Sequence, residues 1–316
     1  MTNKAAAATR EALGPTLVRL CRQGLDIVVV DADLGSSTTA RQFGKAFPER
    51  FFPVGVAEQN MVNVAAGLAA AGKTVFISTF AVFAPGRCFD QLRLGVAQPR
   101  LNVKVVASHA GIITGEDGAS AHGIDDLSLV LSLPGFHVIV PADLMEAEQA
   151  IEAAARTSGP FYVRCVRPKI PIIHDEGYKF RLGKAHVARQ GKDVTVMAIG
   201  VMVWKALEAA ELLASEGIGC RVLNMACLKP LDVEAVLAAA RETGAVVTAE
   251  DHLVHGGLAS LVAQTLALHE PTPMAFIGMQ DQYAVSGRWD QLMERYGLTA
   301  EKIAEAARSV IARKKG

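Results

Sequence analysis

The sequence predicts an α/β protein with two doubly wound domains. Short runs of β-branched residues recur along the chain, and most are separated by stretches rich in Ala, Leu and Glu with helical spacing. Such alternation is typical of parallel sheets whose crossover helices cover both faces. The length of 316 residues corresponds to about two domains and is enough to bury most of the surface of the unfolded chain.

The strands are predicted at apolar runs short enough to be buried in a sheet. In chain order they are Ile27–Val30, Thr74–Ser78, Val103–Ala107, Val138–Val140, Phe161–Val166, Val194–Ile199, Val222–Leu223, Ala245–Thr248 and Ala275–Ile277. Helices are predicted where apolar residues repeat every three or four positions, as at Met61, Val64, Ala65 and Leu68. Residues 168–192 break the alternation with Pro, Gly and charged residues. We therefore predict a first domain over residues 1–180 and a second over residues 190–316.

Composition and charge argue against several classes of protein. The 32 basic side chains balance 32 acidic ones, so the chain lacks the long-range field that favours nucleic acid, which is not expected as a partner. The five cysteines include no C-x-x-C pair, which argues against a disulfide framework or a zinc site. The sequence has no apolar run of about 20 residues and no apolar targeting segment. We expect a soluble cytoplasmic protein with no membrane partner.

One segment matches the sequence pattern of a nucleotide-binding motif but not the order of strand and helix that the motif requires. Residues 67–74 satisfy G-x-x-x-x-G-K-[ST], but a phosphate-binding loop must follow a strand and open a helix. Here a predicted helix over residues 57–71 leads into the motif and a strand leaves it. Gly72 is thus predicted to end the helix and Lys73 to lie in its last turn. A P-loop nucleotidase is the rival interpretation, and ATP binding that is lost in Lys73→Ala would support it.

Several candidate sites lie where predicted strands end, because ligands of parallel sheets bind at the carboxyl edge. These places are residues 31–33, residues 78–80, residues 108–109 and residues 250–252. A further segment, FPVGVAEQN, puts Glu58 in the first turn of an apolar helix. An acidic residue there also complements the helix dipole, so this position alone assigns no function.

Taken in order, the motifs resemble the thiamine-diphosphate enzymes of the transketolase family, specifically their pyrimidine-binding and C-terminal domains. The blocks that carry the resemblance are DADLGSS, GVAEQNMVNVAAGLA, STFAVF, GEDGASAHG, LPGFHVIVPAD, YVRCVRPKIP, AEDHLVHGGLASLVAQ and IGMQDQYAVSGRWDQLMERYGLTAEKI. The resemblance covers essentially the whole chain. It implies transfer of a two-carbon ketol unit from a ketose phosphate to an aldose acceptor, with thiamine diphosphate supplying the carbanion.

The resemblance also implies roles for individual residues. Glu58 would bond the pyrimidine ring of the cofactor and bring it to its imino tautomer, and the other cofactor contacts would come from Phe80, Phe83 and Asp33. The side chains expected to hold the sugar hydroxyls and pass protons are His109, His122 and Asp117. The positions that match phosphate-binding residues are Arg10, Ser37 and Arg167. Arg164 lies close enough to Arg167 in the sequence to be the alternative phosphate ligand.

Two departures from the family pattern bear on this site. Gly86 stands where transketolases usually carry a third aromatic residue, so one wall of the pyrimidine pocket is missing or supplied elsewhere. The loop between Asp117 and His122 is one residue longer than the common form, which leaves the register of His122 open by one position. The histidines of the AEDHLVH block lack zinc spacing, and no metal ligand is assigned in this chain.

The family anchors Mg²⁺ through a G-D-G motif and a later asparagine, and G-D-G does not occur in this sequence. The chain is therefore expected to be the C-terminal subunit of a split transketolase. Its N-terminal partner would hold the diphosphate and Mg²⁺, the assembly would be an α2β2 heterotetramer, and the isolated chain would be inactive and bind the cofactor poorly.

Two related activities are the alternatives. The β subunit of a 2-oxoacid dehydrogenase has similar domains and a similar partner, but it has no need of three phosphate-binding residues. A 1-deoxyxylulose-5-phosphate-synthase-like enzyme shares more of the GEDG loop and is normally one long chain. A cofactor-free scaffold is the non-enzymatic alternative, which Glu58→Gln separates from an enzyme. The donor is open among xylulose 5-phosphate, fructose 6-phosphate and a branched pentulose phosphate.

Overall fold

The computed structural model describes residues 5–314, and residues 1–4 and 315–316 of the predicted domain ranges lie outside the described part. The strands in chain order are β1 (Ala6–Ala7), β2 (Ile27–Asp31), β3 (Phe51–Pro53), β4 (Thr74–Phe80), β5 (Val103–Ser108), β6 (His137–Ile139), β7 (Phe161–Arg164), β8 (Ile170–Pro171), β9 (His186–Arg189), β10 (Val194–Ala198), β11 (Cys220–Asn224), β12 (Cys227–Lys229), β13 (Val246–Leu253) and β14 (Met274–Met279).

The α-helices are α1 (Leu13–Arg22), α2 (Gly35–Thr38), α3 (Arg41–Ala46), α4 (Glu58–Ala70), α5 (Ala84–Asp90), α6 (Asp126–Leu131), α7 (Leu144–Arg156), α8 (Val201–Ser215), α9 (Val233–Thr243), α10 (Leu258–His269), α11 (Trp289–Arg295) and α12 (Ala300–Lys314). Short 3-10 segments at Thr9–Ala12, Pro48–Arg50 and Ile112–Asp117 and a π-helix at Gln91–Ala97 complete the helical elements of the described chain. None of these helices is long and apolar enough to cross a bilayer.

The larger sheet has the strand order β12-β6-β7-β5-β4-β2-β3. All neighbours are parallel except β12, which pairs antiparallel with β6. Because β12 follows β11 of the other sheet in the chain, the second half of the protein supplies one edge strand to the sheet of the first half.

The smaller sheet has the order β14-β13-β10-β11-β9. Its four strands from β14 to β11 are parallel, and β9 pairs antiparallel with β11 at the edge. A separate antiparallel ribbon joins β1 to β8. Two mainly parallel sheets with alternating helices confirm the predicted α/β class.

Helices pack on both faces of the larger sheet, and the sequence explains how they do so. In α7, Ala147, Ala150, Ile151 and Ala154 lie on one face and are buried against the sheet. The helix begins at Asp143, whose side chain accepts a hydrogen bond from the backbone N–H of Glu146, as an N-cap residue does. In α4 the buried residues, such as Met61 and Ala65, face the opposite side of the sheet.

Around residues 67–74, which match the P-loop motif, the structure has the order that the sequence predicts: a helix comes before them and a strand follows. Helix α4 ends at Ala70 and β4 begins at Thr74, so no helix begins within residues 67–74. Gly72 has a φ of 91°, typical of a residue that ends a helix. The Lys73 ammonium pairs with the Asp26 carboxylate at 2.8 Å, a surface contact.

Candidate active site

Neighbouring strands of the larger sheet end at the same edge, which brings the predicted site residues together. In the parallel register Asp31 lies beside Ser78, and Phe80 lies beside Ser108. His109 follows β5 directly, and Arg167 comes shortly after β7. The carboxyl edge of this sheet therefore gathers segments that are far apart in the sequence, as expected for a parallel α/β fold.

Glu58 is held at this edge by the turn between β3 and α4. The chain reverses through Gly55, whose φ of 75° favours glycine, and Glu58 is the first residue of α4. Its side chain is 6% exposed. The Arg87 guanidinium donates to Glu58 Oε1 at 2.8 Å. The helix N-terminus and this cation both compensate the charge of a nearly buried carboxylate.

Flat groups form a row next to Glu58. The rings of Phe80 and Phe83 are stacked, with centroids 5.7 Å apart and an interplanar angle of 16°. The imidazole of His109 stacks on Phe80 at 3.8 Å, and the guanidinium of Arg87 lies 3.9 Å from the centroid of Phe83. The row therefore joins the predicted cofactor residues to a predicted substrate residue.

His109 lies in a cationic setting. The residue is buried and its backbone has a φ of 56°, a conformation that few non-glycine residues adopt. Its Nδ1 is 2.8 Å from Ser108 Oγ, and its Nε2 is 3.4 Å from Arg10 Nη1. Burial, together with the charges of Arg10 and Arg167, lowers the pKa of His109 to about 3. The imidazole is therefore neutral at neutral pH.

Arg10 and Arg167 supply positive charge on the other side of His109. Arg10 Nη1 donates to the backbone oxygen of Ser37 at 2.8 Å, while its buried Nε has no hydrogen-bond partner within residues 5–314. Arg167 is partly exposed and donates to Asp117 Oδ1 at 3.0 Å. Burial and the nearby Arg167 lower the pKa of Arg10. Two guanidinium groups with a free donor form a suitable site for an anion.

The GEDG loop brings Asp117 and His122 to the same region. His122 is buried, and its Nε2 donates to the backbone oxygen of Gly115 at 2.9 Å. Its buried Nδ1 has no hydrogen-bond partner in the described chain, and burial lowers the pKa of the ring. The loop packs on the second half of the protein, where a Cβ built on Gly118 would lie 2.3 Å from Ser286 Oγ.

The structure separates the two arginines that the sequence leaves as alternatives. Arg164 is buried, and its Nε donates to the Asp126 carboxylate at 2.9 Å. Its Nη2 donates to the backbone oxygens of Gly123 and Asp251. These bonds hold Arg164 between the two halves of the protein, and they argue against a role in phosphate binding.

Asp33 is the predicted cofactor contact in the loop after β2. It is exposed, has a φ of 64° and follows β2 in the loop that leads to α2. The neighbouring Asp31 is buried with an unpartnered Oδ1 among the described residues. Burial, with the Asp33 charge as a smaller cause, raises the pKa of Asp31. The sequence assigns the cofactor role to Asp33, whereas the buried carboxylate at this loop is Asp31.

Arg87 is the site residue that sequence reasoning missed. It lies one residue after Gly86, four residues after Phe83 and opposite Glu58. The feature of the sequence that could have pointed to Arg87 is its place next to Gly86, where the family usually carries a third aromatic residue. Within residues 5–314, no group of three or more His, Cys, Asp or Glu side chains is placed to hold a metal ion.

Comparison with known proteins decides the family. Residues 5–172 match the family described as transketolase, pyrimidine binding domain, and residues 183–303 match the transketolase C-terminal domain. The chain belongs to the transketolase family. The predicted family and its transketolase-type function are confirmed, and neither alternative activity is favoured.

Relatives of similar length are described as sections or subunits of transketolases. A putative transketolase C-terminal section of Methanocaldococcus jannaschii is 42% identical over 299 residues, which cover 94% of each chain. A 6-deoxy-6-sulfo-D-fructose transketolase subunit of Clostridium is 44% identical over 288 residues, covering 91% of this chain and 89% of the relative. A solved structure described as a split gene transketolase, inactive beta4 tetramer, is 46% identical with a TM-score of 0.90, and covers 98% of this chain and 100% of that chain.

Proposed function

We propose that this chain is the C-terminal subunit of a split transketolase that moves a two-carbon ketol unit from a ketose phosphate to an aldose. The observation that carries the proposal is the single edge at which the nearly buried Glu58 carboxylate, the Phe80 and Phe83 rings and the guanidinium groups of Arg10 and Arg167 meet. The length and description of the close relatives support the same assignment.

The residues of the row fit the pyrimidine half of thiamine diphosphate. Glu58 offers a carboxylate that is shielded from water, and Phe80 and Phe83 offer apolar faces for a flat ring. When bound, the cofactor supplies the nucleophilic carbon that takes up the two-carbon unit. In this proposal Glu58 holds a proton at the ring nitrogen, while the phenylalanines orient the ring and exclude water.

The cationic side of the site fits a sugar phosphate. Arg10, through its unpartnered Nε, and Arg167 would bind the phosphate, with Ser37 beside them. A phosphate on Arg167 competes with Asp117, which then turns its carboxylate to a sugar hydroxyl. His109, which is neutral at neutral pH, would donate or accept a hydrogen bond at a neighbouring sugar hydroxyl.

The remaining parts of the proposal concern assembly. An N-terminal subunit would hold the diphosphate and Mg²⁺, in an α2β2 heterotetramer with this chain. Support comes from the relatives described as sections or subunits. We keep the domain ranges 1–180 and 190–316, with β12 of the second range completing the first sheet. All five cysteines are free, which supports a reducing, cytoplasmic location.

The proposal is tested by co-expressing this chain with an N-terminal subunit that carries G-D-G, and by measuring ketol transfer with thiamine diphosphate and Mg²⁺. We expect activity in the complex and none in the chain alone. Glu58→Gln keeps the shape of the side chain but cannot hold the proton, so turnover falls by about 10²–10⁴-fold. Glu49→Gln, at an exposed carboxylate, is the matched control with unchanged turnover. Full activity of the chain alone, or of Glu58→Gln in the complex, contradicts the proposal.

The donor is assigned by a screen on the same complex. The candidates are xylulose 5-phosphate, fructose 6-phosphate and a branched pentulose phosphate. The 6-sulfonated fructose in the description of the Clostridium relative joins them, because a sulfonate is also an oxyanion that two arginines can bind. Equal activity on donors with and without an anionic group would argue against the roles of Arg10 and Arg167.

A further inference from the structure

Arg87 makes two contacts of the kind that the cofactor ring would need. An N–H of its guanidinium donates to Glu58 Oε1 at 2.8 Å, and the same planar group lies over the Phe83 ring at 3.9 Å from the centroid. A guanidinium resembles an aminopyrimidine in being flat, in having a π face and in presenting N–H donors at its edge. In this structure Arg87 therefore stands in a place suited to the ring.

The neighbouring surfaces leave little room for both groups. Glu58 is 6% exposed, and Arg87 lies against its carboxylate. Along the row, Phe80 is stacked between His109 and Phe83, and Arg87 covers Phe83 at the end. A ring that bonds Glu58 and stacks on Phe83 in the manner of the guanidinium would overlap it.

The side chain of Arg87 is free to move although its backbone is fixed. The Arg87 N–H donates to the Phe83 oxygen at 3.1 Å, and Gln59 Nε2 donates to the Arg87 oxygen at 3.0 Å. The side chain itself is 50% exposed. Rotation about the side-chain bonds can therefore carry the guanidinium into open space without moving the helix.

We propose that Arg87 is a plug of the pyrimidine pocket, which occupies the place of the cofactor ring in the free chain and must swing out before the ring can bind Glu58. The inference rests on the proposed function, since it assumes that Glu58 and Phe83 bind the pyrimidine. Arg87 is thus a residue that sets cofactor affinity without taking part in the chemistry.

The expected effect follows from the contacts that the ring must displace. A partly exposed ion pair and a cation–π contact are each weak, and the ring must displace both; together they correspond to about one factor of ten in affinity, or about 1.4 kcal/mol. Removal of the plug should tighten the binding of thiamine diphosphate about tenfold.

The test is the dissociation constant of thiamine diphosphate, measured by titration calorimetry with Mg²⁺ on the reconstituted complex of both subunits. Arg87→Met keeps the length of the side chain and removes the donor and the planar cation, so its dissociation constant should fall about tenfold. Arg87→Lys keeps the charge but lacks the planar guanidinium, so its dissociation constant should lie between those of Arg87→Met and the wild type. Arg93→Met, at an arginine that is equally exposed and paired with Asp90, is the control and should match the wild type.

Each outcome bears on the plug. Unchanged or weaker binding of thiamine diphosphate by Arg87→Met overturns the proposal that Arg87 is a plug. Weaker binding would instead make Arg87 part of the pocket wall. If Arg87→Met does not fold, as judged by circular dichroism, Arg87→Lys decides, and binding no tighter than wild type refutes the plug. A wild-type complex that binds no thiamine diphosphate refutes the proposed function and the plug together, whereas normal wild-type binding with no gain in the variants refutes the plug alone.

Discussion

Arg164 and Arg167 lie three residues apart, and we predict opposite consequences when each is changed to methionine. The side chain of Arg164 is 2% exposed and bonds the Asp126 carboxylate and the backbone oxygens of Gly123 and Asp251. Methionine in its place leaves a buried carboxylate and two buried carbonyl groups without these donors. The side chain of Arg167 is 38% exposed, and its Asp117 partner is exposed to a similar degree.

The burial of the two sites sets the magnitudes. Removing one partner of a buried ion pair costs about 3–5 kcal/mol, and at ~2 °C per kcal/mol the melting temperature of Arg164→Met should fall by about 6–10 °C. An exposed pair contributes ~0–1 kcal/mol, so Arg167→Met should melt within about 2 °C of the wild type. Loss of hydrogen bonds from Arg167 to a bound phosphate, at about 1.5–3 kcal/mol, should raise the KM of a phosphorylated donor by roughly 10–150-fold.

The assays are thermal unfolding followed by circular dichroism on the full chain, and ketol transfer by the reconstituted complex with a ketose phosphate and with the same ketose lacking the phosphate. The KM for the unphosphorylated ketose should be nearly the same in Arg167→Met and in the wild type. An unchanged melting temperature in Arg164→Met would refute the structural role of that residue. A KM that rises equally for both donors in Arg167→Met would refute the phosphate role.

Three further predictions concern single positions. His109 has a pKa of about 3 in the fold and an ordinary value of 6.5, so it binds its proton more tightly in the unfolded chain. Its contribution to stability is therefore present above about pH 6.5 and is lost as the pH falls towards 3. The NMR signals of His109 should not titrate between about pH 5 and 8, and Arg10→Met should raise its pKa. Gly118→Ala, at a φ of 80° and against Ser286, should lower the free energy of unfolding by about 1–3 kcal/mol in urea titrations, and a stability equal to wild type would contradict this packing. Lys73→Ala should change the free energy of unfolding by no more than about 1 kcal/mol, because the pair that Lys73 forms with Asp26 lies at the surface. Neither this variant nor the wild type should bind ATP measurably, because no helix begins at the motif.

The sequence predicts the buried strands well and the edges poorly, for a physical reason. Central strands such as β5 are buried on both faces, so most of their positions are apolar, four of the six in β5, and the run is visible in the letters. The edge strands β9 and β12 have four and three residues and depend on partners that are distant in the chain. Their pairing is decided by tertiary packing, which a short run of letters does not contain.

The same distinction applies to the candidate site. The strand ends that carry Phe80 and His109 could be found, because their position follows from the parallel topology. Arg164 and Arg167 have nearly the same local sequence, and burial alone distinguishes their roles. Arg87 is one of many arginines in the sequence, and its contact with Glu58 joins two helices that only the fold brings together.

The charges of the site are arranged in pairs that ligands would exchange. Without ligands, Glu58 pairs with Arg87 and Asp117 pairs with Arg167, and in each pair the arginine is partly exposed. The exposed Asp117–Arg167 pair costs about 0–1 kcal/mol to break, so a phosphate can displace one member at low cost. The displaced member is then free for another group: a phosphate on Arg167 releases the Asp117 carboxylate for a sugar hydroxyl. Under the proposed function, a donor with both groups would therefore gain more than the sum of the two contacts taken separately, which would give the site a physical basis for selecting sugars that carry an anionic group.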